Sequence, residues 1–289
     1  MRDDRESKTA VLVCAGRALA HGRSTVARYD DPTAMPLLPD EERARVERFR
    51  SGPPTDRAER NRFYMTRMNE LVMVPRTVAI DDAIREAALP QLVNLGAGLD
   101  GRAHRMSALS KVTVFEVDHP ASQATKRARA ATLPVKAKSL TYVAVDFTRD
   151  DLDRALEDAG HDRAAPTFWI WEGVVPYLEM RAIDETLSIV SRRSAKGSRI
   201  AIAYITPSRL RRLSLWLSRF GRRAGDDPFE HEPQVTFLEA SEMRAVLARH
   251  ELRVVSDEDV TQIAKRIGAS LGSFGWMFRA GRIVVGERG

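Results

Sequence analysis

From residue 91 onwards short apolar runs alternate with longer stretches whose apolar positions recur at helical spacing. The spacing predicts strands at 91–95, 112–117, 140–145, 167–171 and 198–205, with helices at 100–109, 120–132, 149–159 and 180–194 between them. Strand and helix in strict alternation imply a parallel sheet covered by helices on both faces, joined by right-handed crossovers. A helix over 239–250 and two more strands, 252–256 and 282–286, close the chain and bring the count to seven. The fold class expected is therefore α/β with a mostly parallel sheet.

The first 90 residues lack such runs and form a helical annex. Val11, Ala15 and Ala18 mark a helix over 7–22, and Asp30-Asp31-Pro32 breaks the chain after it. Residues 40–50 are charged and helical. Glu59 to Ala88 reads as one long helical stretch that Pro75 interrupts. A second departure lies at 207–235, where Leu210, Leu213, Leu217 and Phe220 share one helical face and arginines the other. This segment is expected to be a lid over one compact unit, in which 1–90 is the annex and 91–289 the sheet.

The candidate chemistry gathers where predicted strands end. Gly96-Ala97-Gly98-Leu99-Asp100-Gly101 follows the first strand and opens a helix. A G-x-G-x-x-G turn in that setting brings the backbone close to a nucleotide. Asp118 ends the second strand at about the spacing of a group that hydrogen-bonds ribose hydroxyls. Asp100 argues against a dinucleotide, because an acid in the first helical turn would repel a pyrophosphate there. S-adenosylmethionine carries no phosphate but an ammonium and a sulfonium, so local acids suit it. Asp146 and Phe147, after the third strand, supply an acceptor for an adenine amino group and an apolar face beside it. Glu172 follows four apolar residues and is expected to face the crevice, since unpaired burial of a carboxylate is costly.

Composition narrows the class. The 289 residues are 43% hydrophobic and 30% charged, as in a globular protein with a sizeable core. No apolar run is long enough for a membrane span, and the charged N-terminus lacks a signal-peptide core, so no membrane is expected and the cytoplasm is the expected compartment. A single cysteine, Cys14, excludes a disulfide framework and a cysteine-rich metal site, and no metal is expected. The net charge of +6 admits an acidic partner, but the basic residues are interleaved with acids and no nucleic-acid module is appended, which disfavours nucleic acid as partner.

The sequence resembles the class I S-adenosylmethionine-dependent methyltransferases of the leucine carboxyl methyltransferase type. That group includes protein phosphatase carboxymethyltransferases and many bacterial O-methyltransferases. The resemblance rests on Arg76 to Asp81, Asn94 to Arg102, Phe115 to Asp118, Val145 to Phe147 and Trp171 to Leu178, in the family's order, and covers about residues 8 to 205. It implies a Rossmann-like fold with S-adenosyl-L-methionine as cofactor. It also implies roles. Arg76 would grip the cofactor carboxylate, a bidentate task suited to guanidinium. Gly96, Ala97 and Gly98 would line the methionine portion, and Asp118, or else Glu116, would hold the ribose. Asp146 and Phe147 would hold the adenine, and Glu172 would lie near the amino group. Arg17 or Lys8 would be the basic contact from the first helix.

The function expected is methyl transfer to an oxygen, a carboxylate or hydroxyl of a small molecule. A carboxylate needs no base and a hydroxyl gains from one. Tyr177, Tyr204, His104 and His231 are the candidates by position. The alternatives are a protein carboxyl or RNA methyltransferase, a nicotinamide oxidoreductase, and a silent cofactor-binding protein. The sequence sets neither the acceptor nor the oligomeric state.

Overall fold

The computed structural model describes residues 7–147, 149–207, 234–273 and 275–289. Seven strands form one sheet: β1 (Gln91–Leu95), β2 (Thr113–Asp118), β3 (Ser139–Ala144), β4 (Thr167–Trp171), β5 (Arg199–Ile205), β6 (Leu252–Asp259) and β7 (Gly281–Arg288). Their spatial order is β3-β2-β1-β4-β5-β7-β6. β1 lies parallel to both β2 and β4, and β5 continues the parallel set. β7 runs antiparallel between β5 and β6, with Tyr204 opposite Arg282. The α/β, mostly parallel, seven-stranded architecture expected from the apolar runs is the one observed. The strand order reverses between β1 and β4, and there an open sheet leaves a crevice at its carboxyl edge.

Pleating sends alternate residues to opposite faces. Val93, Phe115, Trp169 and Ile202 pack on one side with the helices Leu152–Asp158, Met180–Arg192 and Ala240–Arg249. Leu92, Val114, Phe168 and Ala201 pack on the other, against Ile80 and Ile84. Those two isoleucines belong to the annex. It comprises α1 (Lys8–Ala20), α2 (Ala34–Leu37), α3 (Asp40–Arg50) and α4 (Arg57–Ala87). The annex thus shares a core with the sheet and delivers α4 to its carboxyl edge.

Several boundaries differ from the expected ones. α4 runs 31 residues through Pro75 without a break. Proline forgoes one main-chain bond, at about 3 kcal/mol, and the burial of Met73, Val74, Val78 and Ile80 around it offsets that loss. The expected helix at 100–109 is a single turn, α5 (Arg102–Arg105), then a 3-10 turn at Ser107–Leu109, because Met106 is extended. Downstream lie α6 (Pro120–Ala130), α7 (Leu152–Asp158), α8 (Met180–Arg192) and α9 (Ala240–Arg249). α10 (Val260–Ile267), which the periodicity missed, is fixed by a capping box between Asp259 and Gln262 and by Gly268 at its end. The expected lid helix, with Leu210, Phe220, the arginines and His231, lies outside the described residues.

Candidate functional site

The site begins where β1 ends. The Gly96 and Ala97 N–H groups donate to the Val117 carbonyl at 2.8 and 3.0 Å, which draws the turn over the end of β2. Gly96 and Gly98 have φ of +71° and +46°, a region costly for other residues. A Cβ on Gly96 would also stand 2.5 Å from Val174 Cγ2. Asp118 fastens the turn: one carboxylate oxygen accepts the Gly98 N–H, and the other accepts that of His119 at 2.7 Å. Burial raises its pKa and the two main-chain donors oppose that rise. Both oxygens keep lone pairs for further donors.

From this turn a cavity of about 810 Å³ runs along the carboxyl edge, roofed by α1 and α4. Arg76, Gly96, Ala97, Gly98, Asp118, Asp146, Phe147 and Glu172 all line it. The fold therefore brings together every expected cofactor residue but one. Glu116 is buried off the cavity wall against the Lys126 ammonium at 2.6 Å, and burial pushes its carboxyl up to about 7. That buried pair keeps Glu116 off the wall on which the other expected cofactor residues lie. Of the two basic candidates on α1, Arg17 lines the cavity and Lys8 does not.

A chain of ion pairs runs from the cavity wall at Arg17, Arg76, Asp100 and Glu172 into the buried layer behind it. Arg76 Nε donates to Glu172 Oε1 at 2.7 Å, and Arg102 Nη1 donates to Glu172 Oε2 at 2.9 Å. Arg102 also bonds Asp81 at 2.7 Å and Asp100, and Arg105 bonds Asp81 at 2.6 Å. Arg17 and Arg105 each approach Asp31 at 3.6 Å. Burial pushes Glu172 up, but Arg76 and Arg102 outweigh it and hold the carboxyl at about 2. Burial opposes ionisation of Asp100 too, and Arg102, Arg17 and Lys126 hold it far below the usual range. Four arginines (17, 76, 102, 105) thus face four carboxylates (31, 81, 100, 172) and cancel in formal charge. Arg76 spends only Nε on Glu172, so its two terminal nitrogens remain for a ligand carboxylate. An uncharged cluster with one such fork fits a zwitterion better than a pyrophosphate.

Phe147, 40% exposed, and Asp146 follow β3. His119, which sequence reasoning passed over, joins them. Its Nδ1 accepts the Ala121 N–H at 3.3 Å, and its Nε2 lies 4.0 Å from Asp146 Oδ2.

The other half of the cavity is mostly apolar. Met73, Pro176, Ile205, Val260 and Ile283 line it, with Tyr177, Tyr204 and Arg282 as polar points. Tyr177 accepts from Gln234 Nε2 at 3.4 Å. The Tyr204 hydroxyl lies 2.9 and 3.0 Å from the two Asp257 oxygens and accepts from Arg282 Nε at 3.0 Å. Burial and Asp257 raise its pKa far above that of a free phenol. The hydroxyl is thereby held protonated and in place, which does not suit a base. His104 is buried outside the cavity, its Nδ1 3.3 Å from the Pro134 carbonyl. Arg282 is the polar residue that sequence reasoning missed in this half. An isolated arginine in a late strand carries no local signal.

Residues 10–191 match the family described as leucine carboxyl methyltransferase. A relative from Mycobacterium sp. (strain JLS), described as an S-adenosyl-L-methionine-dependent methyltransferase, is 38% identical over 197 residues, 68% of this chain and 65% of its own. One so described from Streptomyces coelicolor is 37% identical over 201 residues, 67% of each chain. The match thus spans about two thirds of the relatives' length. Among solved structures, one described as a methyltransferase from Thermobifida fusca YX aligns over 98% of this chain and 95% of its own, with TM-score 0.60 and 17% identity. A DUF574 family protein from Streptomyces avermitilis aligns over 99% of both chains, with TM-score 0.58 and 14% identity. These two share the fold. The chain belongs to the leucine carboxyl methyltransferase family, a group of class I methyltransferases that use S-adenosyl-L-methionine.

Proposed function

We propose that this protein transfers a methyl group from S-adenosyl-L-methionine to an oxygen of a small molecule. The observation that carries the reading is the single cavity that joins the glycine turn to an apolar lobe beyond Glu172. Its size, about 810 Å³, suits a cofactor and a small acceptor side by side.

The terminal nitrogens of Arg76 hold the cofactor carboxylate, and Glu172, ionised at every physiological pH, orients that arginine. Asp118 takes the ribose hydroxyls on its remaining lone pairs, and Asp146 and Phe147 take the adenine. When bound, the cofactor supplies a methyl on a sulfonium, which an oxygen displaces in line. The walls contribute by placing that oxygen and excluding water, and orientation of this kind supplies much of a transfer rate. A second reading, methylation of a carboxylate on a protein, draws on the description of the family.

Labelled S-adenosyl-L-methionine, offered with a set of small phenols and carboxylic acids and in parallel with bulk protein and RNA, tests the reading. Label entering a small compound supports it. Label entering only protein or only RNA overturns it.

A further inference from the structure

Arg282 lies at the far end of the cavity, on β7 opposite Tyr204. Its guanidinium is held on one side only. Nε donates to Asp257 Oδ1 at 2.9 Å and to the Tyr204 hydroxyl at 3.0 Å, and Nη2 donates to the Asp257 carbonyl at 3.0 Å. Among the described residues Nη1 has no hydrogen-bond partner; the anion beside it is Asp259 Oδ2 at 4.0 Å, beyond hydrogen-bond reach. The Arg282 side chain keeps 17% of its surface exposed and lines the cavity.

The charge around this donor is unusual for an arginine in a binding cavity. Asp257 neutralises Arg282 directly, and Asp259 adds a second carboxylate. Among the described residues the local sum is one cation against two anions. Tyr204, which braces the pair, already gives its proton to Asp257 and has none for a ligand. Against these described charges an anionic acceptor gains little net attraction, whereas an uncharged oxygen meets a fixed, strong donor.

Resting on the methyltransfer reading, we propose that Arg282 Nη1 anchors an uncharged oxygen of the acceptor, and that the acceptor is a neutral, largely apolar hydroxyl compound rather than a carboxylate. Asp257 and Tyr204 are positioning residues that aim the guanidinium. In the transfer the hydroxyl oxygen forms its bond to the methyl carbon as the carbon–sulfur bond breaks. The sulfur keeps the electron pair, and the hydroxyl proton goes to solvent.

Calorimetric titration of the protein saturated with S-adenosylhomocysteine tests this with two matched pairs, 2-naphthol against 2-naphthoate and methyl salicylate against salicylate. The neutral member of each pair should bind at least about tenfold more tightly, near 1.4 kcal/mol. Arg282→Leu should weaken the neutral compounds by about tenfold and leave the affinity for S-adenosylhomocysteine unchanged, with Arg282→Lys in between. Asp257→Asn, which removes one negative charge, should shift the preference toward the carboxylates. Tighter binding of the carboxylates to the wild type, no binding of any of the four, or wild-type naphthol affinity in Arg282→Leu would each overturn the proposal. A wild-type protein that fails to bind S-adenosylhomocysteine would instead overturn the underlying cofactor reading.

Discussion

Arg76 and Glu172 meet across the mouth of the cavity, Nε to Oε1 at 2.7 Å, although 96 residues separate them in sequence. One comes from the annex and the other from the end of β4. The contact ties the helical roof to the sheet edge and, among the described residues, leaves the two terminal nitrogens of Arg76 without an ion-pair partner.

Glu172→Gln tests this tie. It removes one buried carboxylate from between two guanidinium groups, and such a loss costs about 3 kcal/mol. Urea unfolding should show that loss, and calorimetry should show weaker binding of S-adenosylhomocysteine. A variant with wild-type stability and affinity would show that Glu172 orients nothing.

Asp118→Ala should weaken cofactor binding by about 1–3 kcal/mol, the cost of a charge-assisted hydrogen bond. Asp118→Asn should also weaken it, because an amide oxygen cannot accept from both Gly98 and His119 on two anionic oxygens as the carboxylate does. Affinities equal to wild type in both variants would remove Asp118 from the ribose.

Gly96→Ala places a methyl against Val174 Cγ2 in a backbone region that costs L-residues about 1–2 kcal/mol. The variant should lose stability and cofactor affinity together. Adding Val174→Ala should recover only part of the loss, since it relieves the contact and not the backbone. Full recovery on thermal melting would mean that the positive φ costs nothing here.

The pH dependence follows from Glu172. Its carboxyl ordinarily titrates near 4.5 and is held at about 2 in the fold. A depressed carboxylate stabilises the fold above its unfolded pKa, and that contribution fades as pH falls toward the folded one. Stability should therefore decline between pH 4.5 and about 2, and Glu172→Gln should flatten this decline in acid-titration melts. An identical profile in the variant would place the acid-labile group elsewhere.

Much of this was legible in sequence because strand ends carry their own signals. The glycine turn, Asp118, Asp146 with Phe147, and Glu172 each follow an apolar run, and the topology delivers all of them to one edge. Glu116, the second ribose candidate that the resemblance implied, lies off the cavity because Lys126, ten residues on, pairs with it, and the local sequence says nothing of that partner. His119 and Arg282 were silent for the opposite reason. Their placement at the cavity depends on neighbours that tertiary packing supplies, Asp146 for the first and Asp257 with Tyr204 for the second. α10 was readable in principle from its capping pair Asp259 and Gln262 and from Gly268, since caps mark a helix whose apolar stripe is short.

The most direct test of the cofactor placement is a crystal structure with S-adenosylhomocysteine. The ligand carboxylate should sit on the terminal nitrogens of Arg76, the ribose hydroxyls on Asp118 and the adenine beside Asp146 and Phe147. A ligand carboxylate away from Arg76, or a ribose that makes no contact with Asp118, would contradict it.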